Sequence, residues 1–249
     1  DVSKLHEQGV TIIVTVDNGI TAFEAADMAK SLGIKFVVTD HHLPKETLPN
    51  ADAIADPHIE GGALEFADYA GVGVALKLIS ALEGGDSEAV FEEFGDLAAI
   101  GTIADIVPLT GENRILVKNG IKSIKNLSNT GITALLESSG IKGNNKLSAG
   151  KLSFTVVPRI NACGRLALSE KSVELLITND KATASEIANE LSEDNKNRQD
   201  IEKEILEEVL NFIDNNPDFR YRRVMVISGE NWHQGVIGIV ASRVKEIYG

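Results

Sequence analysis

Two short runs of consecutive apolar, mostly β-branched residues open the chain, at 10–16 (VTIIVTV) and 34–39 (IKFVVT). Such runs suit strands covered on both faces, as in a parallel sheet. Between them the apolar positions change to helical spacing. Thr21, with Glu24 three residues on, has the form of a capping box. The helix runs to about Leu32, and Gly33 offers the left-handed residue that ends it. These elements make one βαβ unit, and residues 52–55 predict a short third strand.

From 70 to about 126 apolar residues return at three- and four-residue intervals, predicting helices over 70–83, roughly 86–94, roughly 95–104 and 112–126. Pro108 stops the third, because the residue before a proline avoids the α region. The stretch 139–150, rich in Gly, Asn, Ser and Lys, predicts a loop. From Lys181 to Asn215 nothing breaks a helix, which spans about 50 Å at about 1.5 Å per residue. One apolar stripe (Ile187, Ala188, Leu191) starts it and another (Ile201, Ile205, Leu206, Val209, Phe212, Ile213) ends it. Residues 192–200 between them hold no apolar side chain, which predicts a solvent-exposed bridge between two domains. Asn216-Pro217 ends the bridge, 223–228 (RVMVIS) predicts a new strand, and 235–248 a new helix. The expected organisation is a first domain over 1–180, a connecting helix over 181–215, and the beginning of a second domain at 216–249.

A chain of 249 residues with 43% hydrophobic and 24% charged residues is not intrinsically disordered. No apolar run approaches the ~18–20 residues of a membrane span, and the N-terminus lacks the basic-then-apolar layout of a signal peptide. A single cysteine makes neither an internal disulfide nor a Cys-rich zinc site. The reading is a soluble protein of a reducing cytoplasm. Because the chain starts at Asp1 and stops at a helix end, it reads as a fragment of something longer.

A net charge of −13 argues against nonspecific coating of nucleic acid, which needs clustered Lys and Arg. Locally the balance reverses. Residues 142–171 hold six cations (Lys142, Lys146, Lys151, Arg159, Arg165, Lys171) against Glu170, whereas 41–107 hold Lys45 and Lys77 against thirteen acids. One basic stretch on an acidic chain fits a narrow path for a strand better than a coat protein.

Asp17 and Asp40-His41-His42 follow consecutive strands, on the sheet edge where open α/β folds bind ligands. Carboxylate oxygen suits hard divalent cations, and imidazole suits manganese, iron or zinc. Asp17, His41 and Asp105, at the end of a helix, can therefore share a metal. Each also has a plainer reading: Asp17 as a turn residue, Asp40 as a helix cap, Asp105 as a helix end beside a proline. Two of five histidines falling on one edge favours the metal. His6 and His58 read as surface positions and Cys163 as a small packing residue. Trp232-His233 precedes a helix that opens with Gly235 and Gly238, either a phosphate site at a helix N-terminus or close packing.

Val16-Asp17-Asn18-Gly19, Thr39-Asp40-His41-His42 and Gly101-Thr102-Ile103-Ala104-Asp105 resemble the second, third and fourth motifs of the DHH phosphoesterases, in order and in separation. Within that superfamily, 158–165 (PRINACGR) and 232–243 (WHQGVIGIVASR) are similar to the RecJ-type single-strand-specific exonucleases. The resemblance covers essentially the whole chain. It implies an α/β fold: a parallel-sheet DHH domain with a helical part, a long interdomain helix and the start of a second α/β domain. It implies a two-metal phosphodiesterase using Mn2+ or Mg2+, with Asp17, His41 and Asp105 on the metals, Asp40 supporting them, and His42 near the scissile phosphate. Arg159, Asn161, Arg165, His233 and Arg243 would contact nucleic acid.

The implied reaction is 5′→3′ hydrolysis of single-stranded DNA in repair and recombination. The implied setting is a cytoplasmic monomer, away from membranes, with a single-strand-binding protein or a helicase as partner. Two other readings stand beside it: a DHH phosphoesterase for short oligonucleotides or cyclic dinucleotides, and an inactive DHH-type replication scaffold. The family's first motif, Asp-x-Asp, is expected upstream of residue 1 and its Gly-Gly-His motif downstream of residue 249, which predicts a weakly active fragment.

Overall fold

The computed structural model describes residues 1–59, 66–126, 129–141, 147–166 and 170–249, without the side chains of Cys163, Arg165 and Leu166. It begins with a short helix, α1 (Val2–Glu7), which the hydrophobic pattern does not announce. Strand β1 (Ile12–Val16), helix α2 (Phe23–Ser31), strand β2 (Lys35–Thr39) and strand β3 (Ala53–Ala55) follow. The strands form a parallel sheet in the order β1-β2-β3. Ala26 and Ala29 of α2 pack on Ile34, Phe36 and Val38, all buried, with Ile13 and Ile54 against them. Alanines on the inner face of α2 let it approach the branched side chains of β2.

Two local expectations fail here. β1 is not covered on both faces: Ile12, Val14 and Val16, which share one face, are about half exposed. Thr21 does not cap α2. The N-cap is Ala22, with no side-chain bond, and the chain enters the helix from a turn that Asp40 grips at Ile20. Gly33, with φ +74°, does end α2 as expected.

The helical part contains α3 (Gly71–Leu82), α4 (Ser87–Ala104), α5 (Gly111–Lys125) and α6 (Thr130–Ser138). The two helices expected over 86–104 are one. Gly95, where the two were divided, is a contact point inside it: a Cβ on Gly120 of α5 would overlap the Gly95 carbonyl oxygen and the Ala99 methyl. α6, which has no counterpart in the sequence reading, is capped by Asn129, whose side chain accepts from Ile132 N.

Helix α7 (Ala149–Leu166) runs through Pro158 and takes in Asn161 and Gly164. Of the expected loop 139–150, residues 142–146, with Lys142 and Lys146, lie outside the described residues. α8 (Glu170–Ile177) leads to α9 (Lys181–Asn215), a single helix of 35 residues. Its middle is not a solvated bridge. Asn195, Arg198 and Glu202 are buried, and they continue the stripe of Ala188 and Leu191 at helical spacing. Arg198 Nη1 lies 2.7 Å from Glu202 Oε2, and its Nε and Nη2 donate to Asn195 Oδ1. Each guanidinium nitrogen of Arg198 thus has an acceptor, which permits burial. Glu193 and Lys196 stay exposed.

A 3-10 turn (Pro217–Tyr221) and helix α10 (Gln234–Tyr248) close the chain. Residues 223–228 alternate as a strand does, with Met225 and Ile227 packed on the α9–α10 core and Val224 and Val226 exposed. No strand forms, because among the described residues no neighbour pairs with the backbone.

By packing, the chain divides into two compact units: 1–128 with 144–153, and 129–143 with 154–249. The first holds the sheet and α2 to α5. The second holds α6, α8, α9 and α10, where Ile205, Val209 and Ile213 pack on Val236, Val240 and Val244.

Candidate metal centre

The carboxyl edge of the sheet delivers the site. Asp17 follows β1 with φ +62°, a left-handed conformation that aspartate tolerates better than most residues. Its N–H donates to the Thr39 carbonyl at 3.0 Å, which pins the turn to the end of β2. Gly71, the first residue of α3, lies against it, and a Cβ there would overlap the Asp17 carboxylate. The positive end of α3 thus faces a carboxylate, the favourable orientation.

Asp40 faces inward and is 1% exposed. Oδ2 accepts from Ile20 N at 2.9 Å; Oδ1 accepts from His41 N at 2.8 Å and lies 2.7 Å from His42 Nδ1. Burial pushes this carboxyl up, but the bonds from Ile20, His42 and His41 together hold it below the usual carboxylate range. The bond to Asp40 raises the His42 imidazole in turn. Asp40 is therefore a brace that orients the His42 ring and holds the His41 backbone.

His41 is the centre of the group. Its ring is 10% exposed, and Nε2 lies 3.0 Å from Asp17 Oδ1 and 3.4 Å from Asp105 Oδ2. That buried nitrogen is hydrogen-bonded to neither. Asp17, His41 and His42 also offer ligand atoms all within 4.8 Å of one another. Burial raises the Asp17 carboxyl, the Asp105 and Asp40 charges add to the rise, and His41 opposes it. Two converging carboxylates with an orphaned imidazole nitrogen between them fit a divalent cation, whose charge relieves their repulsion. Asp105, the C-cap of α4, enters from the helical part. Ile106 after it has φ +62° and is 87% exposed, a strained conformation for a β-branched residue.

The structure thus brings together Asp17, His41, His42 and Asp105, with Asp40 behind. Sequence reasoning missed three contributors. Gly71 matters through its packing against Asp17, and Asn113 through its buried side-chain amide. Asp56 follows β3, so all three strands end in aspartate. Its carboxyl is buried and raised by burial; Oδ1 accepts from His58 N at 2.8 Å, and Oδ2 has no partner. His58, expected at the surface, is only half-exposed.

The residues expected to touch nucleic acid belong to the second unit. Arg159 turns inward: Nε donates to Ser192 Oγ at 2.9 Å and Nη1 to Thr155 O at 2.6 Å, and burial lowers its pKa. Asn161 is exposed. The Arg165 side chain lies outside the described residues. His233 caps α10, its Nδ1 accepting from Gly235 N at 3.1 Å, so this helix start is already part-satisfied. Arg243 pairs through Nε with Glu202 Oε1, yet remains half exposed. Among the described residues no helix is long and apolar enough to cross a membrane.

Residues 2–102 match the family model "DHH family, N-terminal domain". The chain is 40% identical to the single-stranded-DNA-specific exonuclease RecJ of Dickeya dadantii, covering 98% of this chain and 45% of that protein. Of solved structures, RecJ of Thermus thermophilus in complex with Mn2+ superposes with a TM-score of 0.86 at 36% identity, covering 99% of this chain and 36% of that one. An exonuclease RecJ bound to manganese gives a TM-score of 0.84 at 35% identity, over 98% of this chain and 61% of the other. The chain therefore spans less than half the length of the Dickeya relative. With its motifs in place at one sheet edge, the chain carries a DHH-family N-terminal domain over 2–102 and is a homologue of the RecJ exonucleases.

Proposed function

We propose that this chain is the catalytic part of a metal-dependent exonuclease that degrades single-stranded DNA 5′→3′. The observation that carries the proposal is the buried His41 Nε2 set between the Asp17 and Asp105 carboxylates. Asp17, His41 and Asp105 would hold Mn2+ or Mg2+, and His42, steadied by Asp40, would face the phosphate. Two such cations, when bound, supply activated water and charge neutralisation for in-line displacement. The residues' own part is orientation: Asp40 holds the His42 ring and the His41 backbone, and Gly71 of α3 lies close against Asp17. Arg159, Asn161, Arg165, His233 and Arg243 would guide the strand. Intact metal-facing residues favour this over a scaffold, which has no need of them; the arginine motif and the long helix favour DNA over cyclic dinucleotides.

The same reading carries the division into 1–180, 181–215 and 216–249, a cytoplasmic location, a monomer, and a single-strand-binding protein or helicase as partner. The test is Mn2+-dependent nucleotide release from 5′-phosphorylated single and double strands. Release from single strands that Asp17→Ala abolishes is expected. Equal digestion of duplex, or activity indifferent to Asp17→Ala, would overturn the reading.

A corollary concerns rate. Asp40 is occupied by four hydrogen bonds, so Asp17 and Asp105 are the carboxylates left to face +4 of metal charge. The 249 residues alone should turn over far more slowly than a chain extended upstream through an Asp-x-Asp motif. Equal rates would show the ligand set to be complete without it.

A further inference from the structure

We propose that Asn113 is a positioning residue for the cation site, acting as a staple between the two segments that present Asp105 and support Asp17. The inference rests on the proposed function, and its test separates the two.

Asn113 is the third residue of α5 and is fully buried. Its Nδ2 donates to the Asp68 carbonyl at 2.6 Å and to the Pro108 carbonyl at 3.1 Å. These acceptors share no secondary element. Pro108 lies three residues after Asp105, in the segment that leaves α4 through the strained Ile106. Asp68 lies three residues before Gly71, whose backbone abuts the Asp17 carboxylate. One amide group therefore ties the chain just beyond one metal-facing aspartate to the chain just before the support of the other.

The amide's orientation follows from its neighbours. With Nδ2 on both carbonyls, Oδ1 is left buried and without a partner. Turning the group over would set Oδ1 against two carbonyl oxygens, which is worse. A buried polar group that leaves its own oxygen unsatisfied is poorly explained by stability, since each orphaned atom is costly. It is explained if the two donated bonds fix a geometry that matters. The segments concerned lack regular secondary structure, and the two bonds from Nδ2 tie them to one point of α5. Because Asp105 faces His41 from one segment and Gly71 holds Asp17 from the other, a change in separation would open the triangle around His41 Nε2.

The test uses the 249-residue chain and Mn2+ binding followed by electron paramagnetic resonance, well below the unfolding temperature of the metal-free protein. Asn113→Ala removes the donors, and Asn113→Asp keeps the shape while replacing the donor with oxygen. Both should weaken Mn2+ binding about tenfold, as loss of an outer support of a metal site commonly does. Leu116→Ala, one turn along the same helix, truncates a buried apolar side chain outside the staple. It should lower the metal-free unfolding temperature and leave Mn2+ affinity unchanged.

Unchanged affinity in both Asn113 variants, or an equal loss in Leu116→Ala, would overturn the inference. If Asp17→Asn removes no Mn2+ site from the wild-type chain, the proposed function falls, and this inference with it. A site that Asp17→Asn removes and Asn113 does not affect overturns the inference alone.

Discussion

Asp40 shows how much a single carboxylate organises. It joins the entrance of α2, through Ile20, to the two histidines after β2. Asp40→Asn keeps the shape and removes the charge that four donors address, so it should cost about 2 kcal/mol in chelator, as loss of bonds to a buried charged group does. The pH dependence has two windows. Asp40 is lowered in the fold, so its contribution is complete above the ordinary value of about 3.9 and is lost as pH falls through the lower native value. His42 is raised in the fold, so its contribution is complete below about 6.5 and is lost as pH rises through the higher native value. The gap between wild type and Asp40→Asn should be widest between those ordinary values and should narrow on both sides. A gap independent of pH, measured by thermal unfolding, would show that neither charge matters to stability.

At the scale of elements, α9 is the informative case. Its buried polar trio is linked to α10 through the Glu202–Arg243 pair. Glu202→Ala would strand the buried Arg198 charge and should destabilise the second unit by about 3–5 kcal/mol. Replacing Asn195, Arg198 and Glu202 together by Leu, Met and Leu should be near neutral or stabilising. Denaturant unfolding of the two variants distinguishes an ion network that supports the fold from one merely accommodated by it.

The same helix marks the limit of what the chain's pattern reveals. Its length and ends are legible because nothing from Lys181 to Asn215 disfavours helix. That its middle is buried is not, because a count of polar residues along the sequence ignores that 195, 198 and 202 share one face. β1 and β2 are legible from branched apolar runs. The strand expected at 223–228 shows the right alternation and still fails to form, since pairing is a property of two segments. At the site, Asp17, His41 and Asp105 are legible because their chemistry is in their side chains. Gly71 and Asn113 are not, because their roles lie in what folds against them.

For the whole molecule, the two packing units each bury their own apolar residues. Every proposed metal ligand lies in the first of them. Ligand stabilisation by mass action acts on whatever unfolds together with the site. Mn2+ at about 100 times its dissociation constant should stabilise that unit by about 2.7 kcal/mol and leave the other's transition in place. Scanning calorimetry with and without Mn2+ checks this, and one transition moving as a block would mean that the units unfold as one.

The meeting of Gly95 and Gly120 has a consequence for how the protein tolerates change. Where α4 crosses α5, backbone meets backbone and no rotamer intervenes. The gauge between Asp105 on one helix and Asn113 on the other is therefore set by parts that cannot be adjusted. Surrounding aliphatic residues can be exchanged for others of similar volume, and the distance survives. Mutational sensitivity is instead concentrated at Gly120, where even one methyl group would push the helices apart at their fulcrum and carry the error to the far end of both.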